Sequence, residues 1–130
     1  MTYIQHIGIV CSDIEKSERF YIENFGLEKH HTFHVPSSVM DKIFGVKSAA
    51  NIIALKAENS IIELFDFYEA KNLSLSMGRI THISLFVKDS KACAEKLREN
   101  GVDIIEVDRE EGRVIYFAKD PDGVLIELKE

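Results

Sequence analysis

Two histidines and two glutamates have the residue types and spacing that could support chemistry in this chain. His6 and His82 each lie inside a short run of β-branched and apolar residues, the pattern of a β-strand. Glu63 and Glu127 each lie inside a further apolar run nearer the end of the same half of the chain. Each residue alone fits an ordinary core or surface position. A mid-strand carboxylate, however, is costly to bury without compensation, and the same pair occurs twice.

Two imidazoles and two carboxylates together form a donor set that suits a borderline divalent metal such as Zn²⁺, Ni²⁺, Co²⁺, Mn²⁺ or Fe²⁺. Two glutamates neutralise the charge of the ion, and an octahedron would keep up to two positions for water or substrate. The absence of cysteine from the set argues against a closed structural zinc site. The sequence therefore predicts one metal site built from His6, Glu63, His82 and Glu127.

The elements that must position these residues follow the same order in both halves. The first half is predicted to contain a strand, a helix and three strands, at 3–10, 14–25, 27–34, 51–56 and 60–67. The second half is predicted to repeat this order at 79–87, 90–100, 103–107, 113–119 and 124–129. Ser12 or Asp13 can cap the first helix, and the segment 88–90 can cap the second. The predicted fold class is therefore α+β, with two tandem βαβββ modules.

The spacing of smaller features supports an internal duplication. Asp13 and Asp89 each lie seven residues after the histidine of their half, and Asn24 and Asn100 each lie eighteen after it. The first half is longer between its histidine and its glutamate, and the excess falls within 33–50, where a short helix or a lid-like loop would fit. We expect a functional loop there.

Length and composition limit the class of protein. The 130 residues are 45% hydrophobic with a net charge of −6, which argues against nucleic acid and anionic membrane surfaces as partners. The sequence shows neither an apolar run long enough to span a bilayer nor a signal peptide. Cys11 and Cys93 form no CxxC motif and are interpreted as small packing residues. A cytoplasmic location is expected.

The chain resembles the vicinal oxygen chelate superfamily, which contains glyoxalase I, bleomycin-resistance proteins, methylmalonyl-CoA epimerases, fosfomycin-resistance enzymes and extradiol dioxygenases. The segments 6–9, 20–27 and 120–127 resemble it most. The resemblance implies one domain over 1–130, in which module 1–67 and module 79–130 are joined by 68–78. It also implies that the modules form half-open barrels whose ligands meet at one metal, with nickel or zinc favoured. Chains of this size in the family commonly form homodimers.

The four residues His6, Glu63, His82 and Glu127 match the ligand pattern of glyoxalase I. The resemblance thus implies a lyase or isomerase that moves a proton next to a metal-chelated carbonyl of a small-molecule substrate, with Glu127 and Glu63 as the catalytic base and acid. Alternatives are an enzyme like methylmalonyl-CoA epimerase, an iron-dependent dioxygenase, or a non-catalytic antibiotic-binding protein of the bleomycin-resistance type.

Two departures argue against glutathione as the substrate. Val10 occupies the area where glutathione-dependent glyoxalase I places an arginine, and Asp66 and Phe67 stand where it places an asparagine. The expected lining of the site is mostly apolar: Val10, Phe65, Phe67, Ser84, Phe86 and Leu125. The remaining histidines, His30, His31 and His34, are interpreted as strand or loop surface.

Overall fold

The computed structural model describes residues 4–70 and 82–130. The chain divides into two compact units, Met1–Ser74 and Leu75–Glu130, and each is described by itself. Each unit contains a four-stranded mixed sheet with a helix between its first two strands. The predicted α+β class with two βαβββ modules is confirmed.

Unit 1 contains six elements in the described residues. They are β1 (His6–Val10), α1 (Ile14–Phe25), β2 (Glu28–Val35), α2 (Ser37–Phe44), β3 (Ala50–Lys56) and β4 (Ile61–Asp66). The strand order in the sheet is β1-β4-β3-β2. The strands β1 and β4 run parallel, whereas β3 pairs antiparallel with both β2 and β4. The predicted hairpin between β3 and β4 is therefore present.

The helix α1 covers one face of this sheet. Asp13 caps its first turn, where the carboxylate accepts a hydrogen bond from the Lys16 backbone N–H at 3.1 Å, and Gly26 ends the helix in the left-handed region with φ 68°. Tyr21 is fully buried on the helix. The strand residues on the helix side of β3 and β4 are buried aliphatics: Ile53, Leu55, Ile62 and Leu64. Because side chains alternate along a strand, residues 61, 63 and 65 point to the other face.

Unit 2 repeats this connectivity. Its elements are β5 (Ile83–Phe86), α3 (Ser90–Glu99), β6 (Ile104–Asp108), a 3₁₀ turn at Glu110–Gly112, β7 (Val114–Lys119) and β8 (Leu125–Lys129). The strand order is β5-β8-β7-β6, with β5 and β8 parallel. Asp89 caps α3 by accepting a hydrogen bond from the Ala92 backbone N–H at 2.9 Å. The strand expected over 79–87 begins at Ile83 in the described residues, and 79–81 lie outside them.

The extra residues of the first half form a helix with its own hydrophobic core. The helix α2 begins after Pro36 and ends at Gly45, which has φ 69°. Met40 of α2 is buried in a cluster with Val46, Ala50, Ile52, Phe65 and Phe67. The matching connection in unit 2, between β6 and β7, contains only the 3₁₀ turn. Of the two alternatives expected for this region, the short helix is the one observed.

The expected linker over 68–78 falls partly within the described residues. The Ala70 backbone N–H donates to the Phe67 carbonyl at 2.9 Å, so the chain turns directly after β4. Residues 71–78 lie outside the described part. Among residues 4–70 and 82–130, we find no helix with both the length and the apolar character required to cross a bilayer.

The two capping aspartates should contribute similarly to the two units. We expect Asp13→Ala and Asp89→Ala each to lower the free energy of unfolding by about 1 kcal/mol, because each removes the acceptor for a backbone N–H of the first helical turn. Chemical denaturation followed by circular dichroism measures the effect. The matched variants Asp13→Asn and Asp89→Asn keep a side-chain oxygen at the cap and should lose much less. Equal losses for alanine and asparagine would contradict the assigned role of the caps.

Candidate metal centre

In unit 1, His6 and Glu63 lie side by side on the sheet face opposite α1. The parallel register of β1 and β4 sets Gly8 opposite Glu63, and His6 lies two residues before Gly8 on the same side of the strand. The His6 Nε2 and Glu63 Oε2 atoms are 3.7 Å apart. The imidazole is half exposed, whereas the glutamate side chain is only 19% exposed. We call this surface the site face of unit 1, defined by His6, Gly8 and Glu63.

Unit 2 builds the same pair with the same register. Ser84 lies opposite Glu127 in the parallel pairing of β5 and β8, and His82 lies two residues before Ser84. The His82 Nε2 and Glu127 Oε2 atoms are 3.3 Å apart, and the glutamate side chain is 18% exposed. His82 lies one residue before β5, not in mid-strand as expected from the sequence. The two units therefore repeat the position of a histidine against a partly buried glutamate.

The donor chemistry of each pair fits a divalent metal. The Nδ1 atom of His6 is hydrogen-bonded to the Gln5 side-chain oxygen. An imidazole that donates through Nδ1 leaves the Nε2 lone pair free, and Nε2 is the atom that faces Glu63. Two adjacent ligand atoms, each about 2.1 Å from an ion, are roughly 3.0 to 3.4 Å apart. The separation in unit 2 falls within this range, and the separation in unit 1 is slightly longer.

Each unit presents one histidine and one glutamate, which are fewer groups than a metal site of three or more ligands requires. Among the described residues, no three or more His, Cys, Asp and Glu side chains come together within either unit in a way that could hold an ion. The structure brings His6 together with Glu63 in unit 1, and His82 together with Glu127 in unit 2.

The two pairs have different surroundings. Across the neighbouring strand, Ala54 lies opposite Glu63 in unit 1, whereas Phe117 lies opposite Glu127 in unit 2. The His82 ring packs edge-on against Phe117, with ring centres 5.5 Å apart. Glu127 also has a second cationic neighbour, because its Oε1 lies 3.7 Å from the Lys129 Nζ. The histidine of unit 2 is thus supported by an aromatic ring, and its glutamate lies between two basic groups.

The expected apolar lining divides into exposed and buried residues. Phe86 is 82% exposed and Val10 is also exposed. Phe65 and Phe67 are buried in the core cluster beneath α2, so they pack unit 1 and do not line an open surface. The Phe65 ring also reaches β1: a Cβ atom added at Gly8 would lie 3.3 Å from the Phe65 Cε1. Gly8 thus makes room for this ring next to the His6–Glu63 pair.

Three histidines follow one another closely on β2, and sequence reasoning assigned all three to the surface. All three are exposed. The register nevertheless places His31 opposite Ala54, in the same row of the sheet as Glu63. This position depends on an irregularity in pairing between Lys29 and His31, which the sequence pattern does not reveal.

The cysteines have no feature of a reactive site. Cys11 is buried. For Cys93, burial is the main cause that raises the pKa of the thiol, and Asp89 acts in the same direction, whereas Lys96 lowers it. A raised pKa keeps the thiol protonated and weakly nucleophilic.

A buried aspartate shapes the turn that leads into the strand of Glu127. The Asp120 carboxylate accepts hydrogen bonds from the backbone N–H groups of Asp122 and Val124, at 2.8 and 2.9 Å. Gly123 completes the turn with φ 84°, a conformation that favours glycine. This turn fixes where β8 begins, and therefore where Glu127 faces β5.

Comparisons with known proteins agree with the fold. Residues 3–128 match the family model of the Glyoxalase/Bleomycin resistance protein/Dioxygenase superfamily. A protein of Synechocystis sp. named "probable lactoylglutathione lyase" is 30% identical over 97% of this chain and 93% of its own length. The solved structure of the trypanothione-dependent glyoxalase I of Leishmania major matches with a TM-score of 0.76 and 24% identity, covering 100% of this chain and 87% of that one.

A second solved structure, the fosfomycin resistance protein FosX of Listeria monocytogenes in complex with Mn(II), matches with a TM-score of 0.70 and 18% identity, over 99% of this chain and 92% of that one. Two βαβββ units that each present a histidine and a glutamate define a protein of the glyoxalase-like fold. The chain belongs to the Glyoxalase/Bleomycin resistance protein/Dioxygenase superfamily.

The buried turn before β8 gives a testable prediction. We expect Asp120→Ala to lower the free energy of unfolding by about 2 kcal/mol, because it leaves two backbone N–H groups without their acceptor. Thermal or chemical denaturation measures the change. Asp120→Asn keeps one acceptor oxygen and should lose clearly less. A loss for Asp120→Ala within error of zero would contradict the role assigned to this carboxylate.

Proposed function

We propose that this protein is a metal-dependent lyase or isomerase of the glyoxalase I type, which transfers a proton at a carbon next to a chelated carbonyl group. The observation that supports it most is the repetition of one histidine–glutamate pair at matching register positions in both units. A binding protein that only sequesters a molecule has no need of four such groups. The relative named "probable lactoylglutathione lyase" is in keeping with the proposal.

In this proposal, one divalent ion is held by His6, Glu63, His82 and Glu127, with nickel or zinc preferred and cobalt, manganese or iron as alternatives. The two pairs come either from one chain or from two copies of it. A bound ion would polarise the carbonyl of the substrate and thereby acidify the neighbouring carbon.

The two glutamates are the groups that move the proton. Each is mostly buried, with one carboxylate oxygen next to a histidine nitrogen. We assign Glu127 and Glu63 as the base and acid, because carboxylates with one loosely held oxygen can accept a proton and return it at another carbon or oxygen.

We also propose that the protein acts on small organic molecules as a cytoplasmic homodimer. The face of unit 2 that presents Glu127 leaves three apolar side chains exposed, Phe86, Ile105 and Val107. Association with a second copy would bury apolar surface of this kind, which is favourable in water.

Replacing the proposed base tests the catalytic assignment. We expect Glu127→Gln to lower turnover by roughly 10²- to 10⁴-fold while the protein still binds some metal. Proton exchange from solvent D₂O, followed by NMR, measures turnover on a panel of hemithioacetals and acyl-CoA thioesters. The exposed Glu95 on α3 provides the control, because Glu95→Gln changes the same group away from the site. Full activity of Glu127→Gln would contradict the assignment.

Metal analysis tests the donor set separately. We expect purified protein to bind about one divalent ion per chain, and we expect His6→Ala and His82→Ala each to weaken binding at least 10- to 100-fold. Calorimetric titration of chelator-treated protein with Ni²⁺ and Zn²⁺ gives both values. The control His34→Ala removes a histidine whose Nε2 contacts the Tyr68 hydroxyl. Unchanged metal affinity in both ligand variants would contradict the assigned ligands, and the absence of a stoichiometric divalent ion would favour the antibiotic-binding alternative.

A further inference from the structure

We propose that His31 and Lys56 bind an anionic group of the substrate, such as a carboxylate, on the site face of unit 1. This inference rests on the proposed function, since it assumes that the other end of the substrate lies at the metal. The inference gives a role to His31, which is interpreted as a surface residue from the sequence alone.

The register of the sheet places His31 in the row of Glu63. Reading across the four strands, this row consists of Gly8, Glu63, Ala54 and His31. Ala54 contributes a single, fully buried methyl group between the two functional side chains. The Cα atoms of Glu63 and His31 are separated by two strand spacings, about 10 Å. Both side chains can therefore contact the two ends of one small molecule.

The ring contacts of β2 support the orientation of His31. Its imidazole stacks on Phe33, with ring centres 5.2 Å apart and an angle of 22° between the planes. Residues two apart on a strand share a face, and Phe33 pairs with Ile52 of the core cluster beneath α2. His31 thus projects from the site face of unit 1. His34, by alternation, lies on the other side and contacts Tyr68.

Lys56 adds a positive charge to the same region. It lies two residues from Ala54 on β3, and its pairing partners are Ile61 and Glu28. Lys29, in contrast, points to the helix side, where its Nζ lies 3.4 Å from a Glu18 carboxylate oxygen of α1. Glu28 opposite Lys56 offsets part of the charge.

The chemistry of the two side chains suits an anion. Imidazole offers an N–H donor in both of its protonation states, and the lysine ammonium offers three donors and a charge. A carboxylate held by both would form charge-assisted hydrogen bonds, which are roughly twice as strong as neutral ones.

Unit 2 has a lysine, Lys119, at the position that matches Lys56, but it lacks the histidine of this arrangement. At the positions that match Ala54 and His31, it has Phe117 and Ile105. An aromatic and an aliphatic side chain offer no hydrogen bond to an anion. The substrate should therefore be asymmetric, with two neighbouring oxygens for the metal at one end and an anionic group at the other end, on the side of His31.

Two small chelators that differ only at their far end test this inference. Succinic monohydroxamate and butyrohydroxamate present the same pair of oxygens to a metal, but only the first ends in a carboxylate. Calorimetry on the full-length, Ni²⁺-loaded protein measures both affinities. We expect the carboxylate probe to bind about 10-fold more tightly to the unmodified protein, as suits one or two charge-assisted hydrogen bonds.

The variant His31→Ile introduces the residue type found at the matching position of unit 2, and we expect it to reduce the 10-fold preference to about 2-fold or less. His31→Gln keeps an N–H donor and should restore part of the preference, whereas Lys56→Met should lower it. His34→Gln, on the other side of the sheet, should leave it unchanged. Circular dichroism and Ni²⁺ affinity check that each variant is folded and loaded.

The outcomes separate this inference from the proposed function. Metal-dependent binding of both probes with the same preference in His31→Ile as in the unmodified protein would overturn the role of His31 and leave the metal site standing. A preference for butyrohydroxamate in the unmodified protein would also overturn it. Binding of neither probe in a metal-dependent way would overturn the metal site itself, and this inference with it.

Discussion

The packing of one helix against one face of each sheet is the constraint on which the candidate site depends. In unit 1, α1 buries the aliphatic side chains on its side of β3 and β4. Because strand side chains alternate, the burial of Leu64 forces Glu63 to the opposite face, and the parallel pairing with β1 brings His6 next to it. A shift of register by one residue would turn the side chains of His6 and Glu63 toward the core. The hydrophobic core therefore determines which side chains lie on the other face of the sheet.

The same constraint acts twice, but its results differ between the units. Both units place a histidine beside a glutamate at matching positions, so the pair is a property of the βαβββ module. What surrounds the pair differs with the residues on the neighbouring strand. A methyl group lies opposite the glutamate in unit 1, whereas a phenyl ring lies opposite the glutamate in unit 2 and packs against the histidine there. The two modules thus have equivalent histidine–glutamate pairs with different neighbouring side chains.

Much of the fold could be predicted because its signals are local. The helix 14–25 agrees with α1 in both bounds, since an aspartate cap and a glycine stop are short-range features. The glutamate pair could be found because a charged residue breaks an otherwise apolar strand. The helix α2 could not be assigned from sequence, because its stability depends on Met40 packing beneath it onto residues distant in the chain.

The neighbourhood of the site was harder to predict for the same reason. Phe65 and Phe67 alternate like residues that face a ligand, but α2 lies over them and makes them core. His31 is exposed, as expected from the sequence, but its place in the row of Glu63 depends on the irregularity between Lys29 and His31, which sets the phase of the rest of β2. Irregular strand pairing and coverage by an inserted helix both depend on residues that are distant in the chain. Local sequence patterns therefore do not predict them.

The inserted helix α2 and Gly8 on β1 both accommodate the same side chain, Phe65. Phe65 needs α2 to cover one side of its ring, and it needs the missing side chain at Gly8 to accommodate the other. In unit 2, the described connection between β6 and β7 contains only the 3₁₀ turn, and Ser84 lies at the place that matches Gly8. The two modules are consequently no longer interchangeable: a copy of the second module in the place of the first would bring its own histidine and glutamate, but it would lack the interlocked ring, helix and glycine. After duplication, divergence in this chain has made each half specific to its position.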